Sequence, residues 1–247
     1  MRKAILFIIL LLIFSMLSAE YDLSDANNAY QNLNYEKAKD IYESLINKGV
    51  KSFVLFYNLG NTYFKLKNFG LARLYYEKAA KYKPLDKDLL LNISLLKSKL
   101  KDKEESKEPF LINVFHNIFY FFSINIQCIF VLVFFILIML TVAGLVLARR
   151  ISVKKLLKLL LIIFSFCFMI FLIVTIARLS IFYNNNSAVI ISETVFAYSG
   201  PSEDFPQVFT IHEGLKICIE KFDKDWVLIK LQSGNGGWVE KESLSVI

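Results

Sequence analysis

The chain has little of what side-chain chemistry is usually built from: two histidines, three cysteines and two tryptophans in 247 residues. Cys128 and Cys167 fall inside apolar runs and Cys218 stands alone in a strand-like stretch, so neither a disulfide framework nor a metal-ligand spacing is present. No Gly-rich phosphate loop, HExxH or Cys/His pattern occurs. The long apolar runs carry no Asp or Glu, so a proton or ion path is not indicated. These absences lead to the expectation of a non-enzymatic protein with no catalytic residue, no metal and no cofactor. Charge is scarce too: 21% of residues are charged and 55% hydrophobic, a balance that points to membrane spans. The net charge of +7 does not point to nucleic acid. Much of it crowds beside the apolar runs, and residues 187–247 hold five Lys against nine Asp and Glu, a local charge of −4 that repels phosphate backbones.

What is present begins with "MRKAILFIILLLIFSMLSAE": basic Arg2 and Lys3, an apolar stretch, then Ser18 and Ala19. This is the layout of a signal peptide over 1–19, cleaved or retained as an anchor. Two longer apolar runs follow, 126–148 and 156–178. At ~1.5 Å per residue each crosses a hydrocarbon core of ~30 Å. Between them, 149–155 carries Arg149, Arg150, Lys154 and Lys155, and a short loop this basic stays in the cytoplasm. Both flanking regions are therefore expected outside, on a cytoplasmic membrane. Residues 110–125 are aromatic but too short to span, and read as an interfacial helix touching membrane lipid. Residues 102–109 read as a charged linker.

Over 20–101 the sequence repeats itself at 34 residues: Ala26 recurs as Gly60, Tyr30 as Phe64, Asn34 as Asn68, Tyr35 as Phe69, Ala38 as Ala72 and Tyr42 as Tyr76. Leu59, Gly60, Tyr63, Ala72, Tyr76, Ala79 and Pro84 resemble the tetratricopeptide repeat (TPR). Small Gly60 and Ala72 suit a close helix approach, and Pro84 ends the second helix. Leu89, Ile93, Leu96 and Leu100 then form the stripe of a capping helix. Asn58, Asn61 and Lys65 share a polar face, and Asn27 and Asn92 fall at further positions that line the groove in that family. Asn amides there could hold an extended peptide or simply be solvated.

Residues 187–247 alternate apolar and polar, as in Leu215, Ile217 and Ile219 or Val227, Ile229 and Leu231, with "QSGNGGW" as a hairpin signal. That is the pattern of a small half-open β-barrel. Gly200, Pro201, Gly214, Trp226, Gly237 and Trp238 resemble the bacterial Src homology 3-like domain. His212 and Glu213 are read as steadying a strand-to-turn junction, and the tryptophans as packing or lining a peptide groove.

The expected fold is thus multidomain α and β: an all-α repeat unit, two transmembrane helices and a small all-β barrel. This order of parts resembles the BatE-like family of the Bacteroides aerotolerance (Bat) operon type. The resemblance implies an inner-membrane scaffold, external modules, and partners that include von Willebrand A-type Bat proteins and, through them, a MoxR-type ATPase. A sensor or anchor that binds peptidoglycan peptides is the alternative.

Overall fold

A computed structural model describes residues 22–103, 119–122, 124–183 and 186–247. The expected signal peptide and most of the linker and interfacial stretch lie outside the described residues. The chain divides into two compact units after Lys51.

In the first unit, α1 (Ser24–Gln31) packs on α2 (Tyr35–Asn47) through buried Ala26, Ala29, Ala38 and Tyr42. Three devices close the turn between them. Leu33 takes a left-handed φ of 61°. The Asn34 side chain accepts from the Lys37 N–H at 3.2 Å and caps α2. Tyr30 meets Tyr35 edge-on at 5.2 Å.

The second unit opens with a hairpin built the same way, α3 (Phe53–Lys65) and α4 (Phe69–Tyr82). Lys67 has φ 62°, Asn68 accepts from the Leu71 N–H at 3.1 Å, and Phe64 meets Phe69 at 5.8 Å. Leu55, Leu59, Ala72 and Ala79 are fully buried. A Cβ on Gly60 would lie 2.5 Å from Cδ1 of Tyr76, so only hydrogen fits there. Tyr63 stacks on Tyr75 at 5.5 Å. Pro84 follows the end of α4, as a residue without an N–H should. Asp86 caps α5 (Lys87–Lys99), whose Leu89 and Leu96 are fully buried.

Two apolar helices follow, α6 (Ile124–Leu147) and α7 (Ile151–Tyr183). Both are long and apolar enough to cross a membrane. Phe171 packs on Phe130 at 4.9 Å and Phe134 at 5.6 Å, across the pair. The hydroxyls of Thr141 and Thr175 bond the carbonyls one turn back, so neither is left bare on an apolar helix. The basic stretch 149–155 is not all loop. No Gly or Pro interrupts Ile-Ser-Val-Lys-Lys, so α7 starts at Ile151. Arg149 and Arg150 stay in the connection, Lys154 and Lys155 lie on α7, and all four are exposed.

The chain then forms one antiparallel sheet of seven strands: β1 (Ser187–Ile190), β2 (Thr194–Tyr198), β3 (Gln207–His212), β4 (Lys216–Asp223), β5 (Trp226–Lys230), β6 (Gly236–Glu240) and β7 (Leu244–Val246). The order is β3-β2-β6-β5-β4-β1-β7. Period-2 alternation sends Ala188, Ile190, Val195, Ala197, Ile217, Ile219, Val227, Ile229 and Val239 into one core. A register shift between Ile219 and Lys221 bends β4.

Candidate functional site

Two surfaces of the second unit carry specific polar chemistry. The first is a seam across α3, α4 and α5. The Tyr76 hydroxyl donates to Asn61 Oδ1 at 2.7 Å. Asn92 Nδ2 donates to the same oxygen at 2.8 Å and to the Tyr57 hydroxyl at 3.0 Å. Both lone pairs of the Asn61 oxygen thus serve the fold. In the first unit the counterpart of Asn61, Asn27, accepts from the Tyr42 hydroxyl at 2.6 Å. The recurring asparagine is therefore first a helix-to-helix tie. Asn58 is half-buried, its carbonyl accepting from Thr62, and Lys65 is exposed. Of the expected stripe, the structure brings Asn61 and Asn92 together.

The second surface is where α4 meets the sheet. Gly70, Leu74, Glu77 and Lys81 lie at i, i+4, i+7 and i+11, one stripe of the helix. At Gly70 the backbones nearly touch: an added Cβ would lie 3.0 Å from Ile191 Cα. The Gly70 N–H, at the start of the helix, donates to Glu213 Oε2 at 2.8 Å. Leu74 packs with Val189 and Ile247 in a small apolar cluster. Glu77 receives the Arg73 Nε at 2.8 Å on one oxygen and the Lys216 ammonium at 2.8 Å on the other. Burial alone would raise the Glu77 carboxyl, but Lys216 and Arg73 together hold it down at about 2. Arg73 is only 2% exposed, so this is a desolvated ionic cluster, costly to form and costly to break.

The start of the expected linker belongs to this junction as well. Asp102 accepts from the His212 backbone N–H at 2.6 Å and faces His212 Nδ1 at 3.0 Å, while the Lys101 ammonium lies 2.7 Å from Nε2. Leu100 lies over Gly214, where a Cβ would come within 2.5 Å of it and where φ is +81°. His212 and Glu213 therefore make contacts across more than a hundred residues of sequence rather than only steadying their own turn.

On the sheet, Gly200 leaves room for the Phe205 ring and Gly237 for Ala197 and Phe209. Pro201 is exposed in the turn after β2. Trp226 and Trp238 are half-buried, alternating with buried Val227 and Val239, so they stand on the outer face. Tyr198 pairs with Trp238 in register and meets Trp226 edge-on at 5.6 Å. Among the described residues, no group of three or more His, Cys, Asp or Glu side chains is placed to hold a metal ion.

From sequence alone the docking stripe was missed. Its signal was present in α4, where Leu74 makes a second apolar face at a position that the first repeat fills with Asp40.

These parts define a multidomain α and β chain: paired repeat helices, an apolar helical pair and an antiparallel sheet. The tetratricopeptide repeat family matches residues 53–86, which are α3, α4 and the turn after them, so the chain carries a tetratricopeptide repeat. Among curated proteins none matches the chain. A tetratricopeptide repeat points to protein partners in general.

Proposed function

We propose that the protein is a non-enzymatic membrane scaffold that holds a protein partner on its repeat. One observation carries this reading. The polar seam is flanked on α5 by Leu91 and Leu95, which are 67% and 48% exposed, with Leu95 one turn from Asn92. A terminal helix that merely caps a repeat turns polar residues outward. This one turns out leucines beside ordered amides, the mixture of a protein-binding face. The sheet packs on the outer stripe of α4, Gly70, Leu74, Glu77 and Lys81, so that stripe is not the one offered to a partner.

At finer grain, we read the sheet as a bacterial Src homology 3-like barrel and the chain as BatE-like. Its partners are then von Willebrand A-type Bat proteins in an aerotolerance or stress complex, with a MoxR-type ATPase reached through them. Exposed Arg149, Arg150, Lys154 and Lys155 at one end of the helical pair support a cytoplasmic connection and external modules on an inner membrane. A second reading, a sensor or anchor for peptidoglycan peptides, draws on the outward Tyr198, Trp226 and Trp238.

The test is crosslinking in intact cells with a membrane-permeant and an impermeant lysine reagent. Wild type should give an adduct with a von Willebrand A-type membrane protein in both cases. The double variant Leu91→Glu, Leu95→Glu changes exposed residues only and should lose it. An adduct that survives that variant but not Trp226→Ala places the partner on the sheet instead. An adduct seen only with the permeant reagent overturns the external orientation.

A further inference from the structure

Where α4, α5, the helical pair and the sheet converge, there is a cavity of about 420 Å³. Among the described residues its walls carry four cations, Arg178, Lys81, Lys97 and Lys216, and one carboxylate side chain, Glu77, which already receives Lys216. Arg178 closes the apolar run 156–178 on α7 and is 2% exposed. Its Nη1 donates to the Phe122 carbonyl and its guanidinium lies 4.8 Å over the Tyr120 ring. Its Nε has no hydrogen-bond partner among the described residues. A buried guanidinium with an unused N–H is poised for an acceptor. Lys81 donates to the Ile247 main-chain oxygen at 2.9 Å. Burial, and then the charge of Lys216, push its ammonium down from the usual lysine range, as expected where cations crowd.

We propose that this cavity seats the phosphate of an anionic membrane lipid. Three observations favour a lipid over a soluble anion. The site lies at the end of the apolar run, which at ~1.5 Å per residue is where headgroups begin. Part of its wall is apolar, including Ile124, Ile181 and Phe182 at the ends of the helical pair. Aromatic rings gather at the same level: Phe182 meets both Tyr82 and Tyr183 at 5.3 Å. Such rings favour the boundary between hydrocarbon and water. The acyl chains would run down the apolar pair while Arg178 holds the phosphate through its unused Nε–H, with the lysines of the wall adding positive charge. The lipid would thereby tie α4 and the sheet to the bilayer surface.

The inference rests on the reading that α6 and α7 span a membrane. Carbonate extraction of cell membranes tests that reading separately: release of the chain into the soluble fraction would remove it. For the site itself, the full chain purified in detergent is examined by native mass spectrometry with equimolar phosphatidylglycerol and phosphatidylcholine. Wild type should retain phosphatidylglycerol at least tenfold over phosphatidylcholine. Arg178→Gln and the pair Lys81→Gln, Lys97→Gln should each lose that preference. Arg178→Lys should keep part of it, and Lys230→Gln, on the exposed sheet, should keep all of it. If Arg178→Gln fails to fold, the lysine pair decides. No preference in wild type, or a preference that both cavity variants retain, overturns the proposal. Displacement of the lipid by millimolar inorganic phosphate would make this a site for free phosphate and overturn the lipid assignment.

Discussion

Helices α2 and α4 hold the same place in successive repeats and share their inner face, yet their outer faces have diverged. Both are capped by an asparagine, both follow a left-handed residue, and both give a tyrosine hydroxyl to an asparagine fifteen residues back. The outer positions of α4 are Gly70, Arg73, Leu74 and Glu77; in α2 they are Glu36, Lys39, Asp40 and Glu43. The basic and acidic pair survives at 39/43 and 73/77, but its surroundings do not. Lys39 reaches Glu36 at 2.6 Å, with the glutamate side chain 67% exposed. Such a solvent-screened pair contributes little to stability. Arg73 and Glu77 are buried, and Lys216 of β4 reaches Glu77 at 2.8 Å. The inner face makes a repeat; the outer face decides whether anything is fixed to it.

Exchanging one outer residue should break the comparison most sharply. Leu74→Asp removes a buried leucine and puts an unpaired carboxylate beside Glu77, at a cost on the order of 3–5 kcal/mol. The reverse exchange, Asp40→Leu, touches a residue that is 70% exposed and should stay within about 0.5 kcal/mol. Amide hydrogen exchange on the full chain in detergent reads the two helices separately. Protection should collapse in α4 for the first variant and stay unchanged in α2 for the second. Intact protection of α4 in Leu74→Asp would mean that the sheet does not hold it.

The ionic cluster gives the next largest effect, and its sign follows from Glu77. That carboxyl sits at about 2 in the fold, against an ordinary value of 4.5 once released. Its contribution is therefore complete above about 4.5 and is lost as pH falls toward 2, an amount on the order of 3 kcal/mol. Thermal melting of the full chain between pH 5 and pH 2 should show this loss. Glu77→Gln should be less stable at pH 7 and flatter across that window. An equally steep acid response in Glu77→Gln would assign the loss to other groups.

How much of this could be read in the sequence follows the reach of each interaction. The repeat was legible because its determinants are local: Gly60 meets Tyr76 sixteen residues on, and each cap lies three residues from its partner. The sheet was legible because alternation is a property of each strand. The asparagine stripe was only half legible. An amide that binds a peptide and an amide that binds Tyr76 are the same residue type, and only the fold shows that Asn61 is already engaged. Gly70 with Glu213 and Glu77 with Lys216 join positions 143 and 139 residues apart. No periodicity encodes such a pair, because each partner satisfies its own element's pattern without the other. The start of α7 was missed for the opposite reason, since basic residues were taken as loop when nothing in them stops a helix.

The smallest effect probes what the two repeats share. Leu33 and Lys67 hold φ values of 61° and 62° in the turn before each cap, where a Cβ is crowded. An L residue in that region carries roughly 1–2 kcal/mol of strain. Glycine would relieve it, but loses about 0.5–1 kcal/mol through its greater freedom when unfolded. Leu33→Gly and Lys67→Gly should each therefore raise stability by up to about 1 kcal/mol. Leu33 is 71% exposed and Lys67 is also exposed, so little packing is lost to offset that gain. Equal shifts in hydrogen exchange for α2 and α4 would place the strain in the repeat itself. A larger gain for Lys67→Gly would tie the turn to the docking of Gly70, three residues further on. A loss of stability in both variants would show that the left-handed turn is held by contacts of the Leu33 and Lys67 side chains.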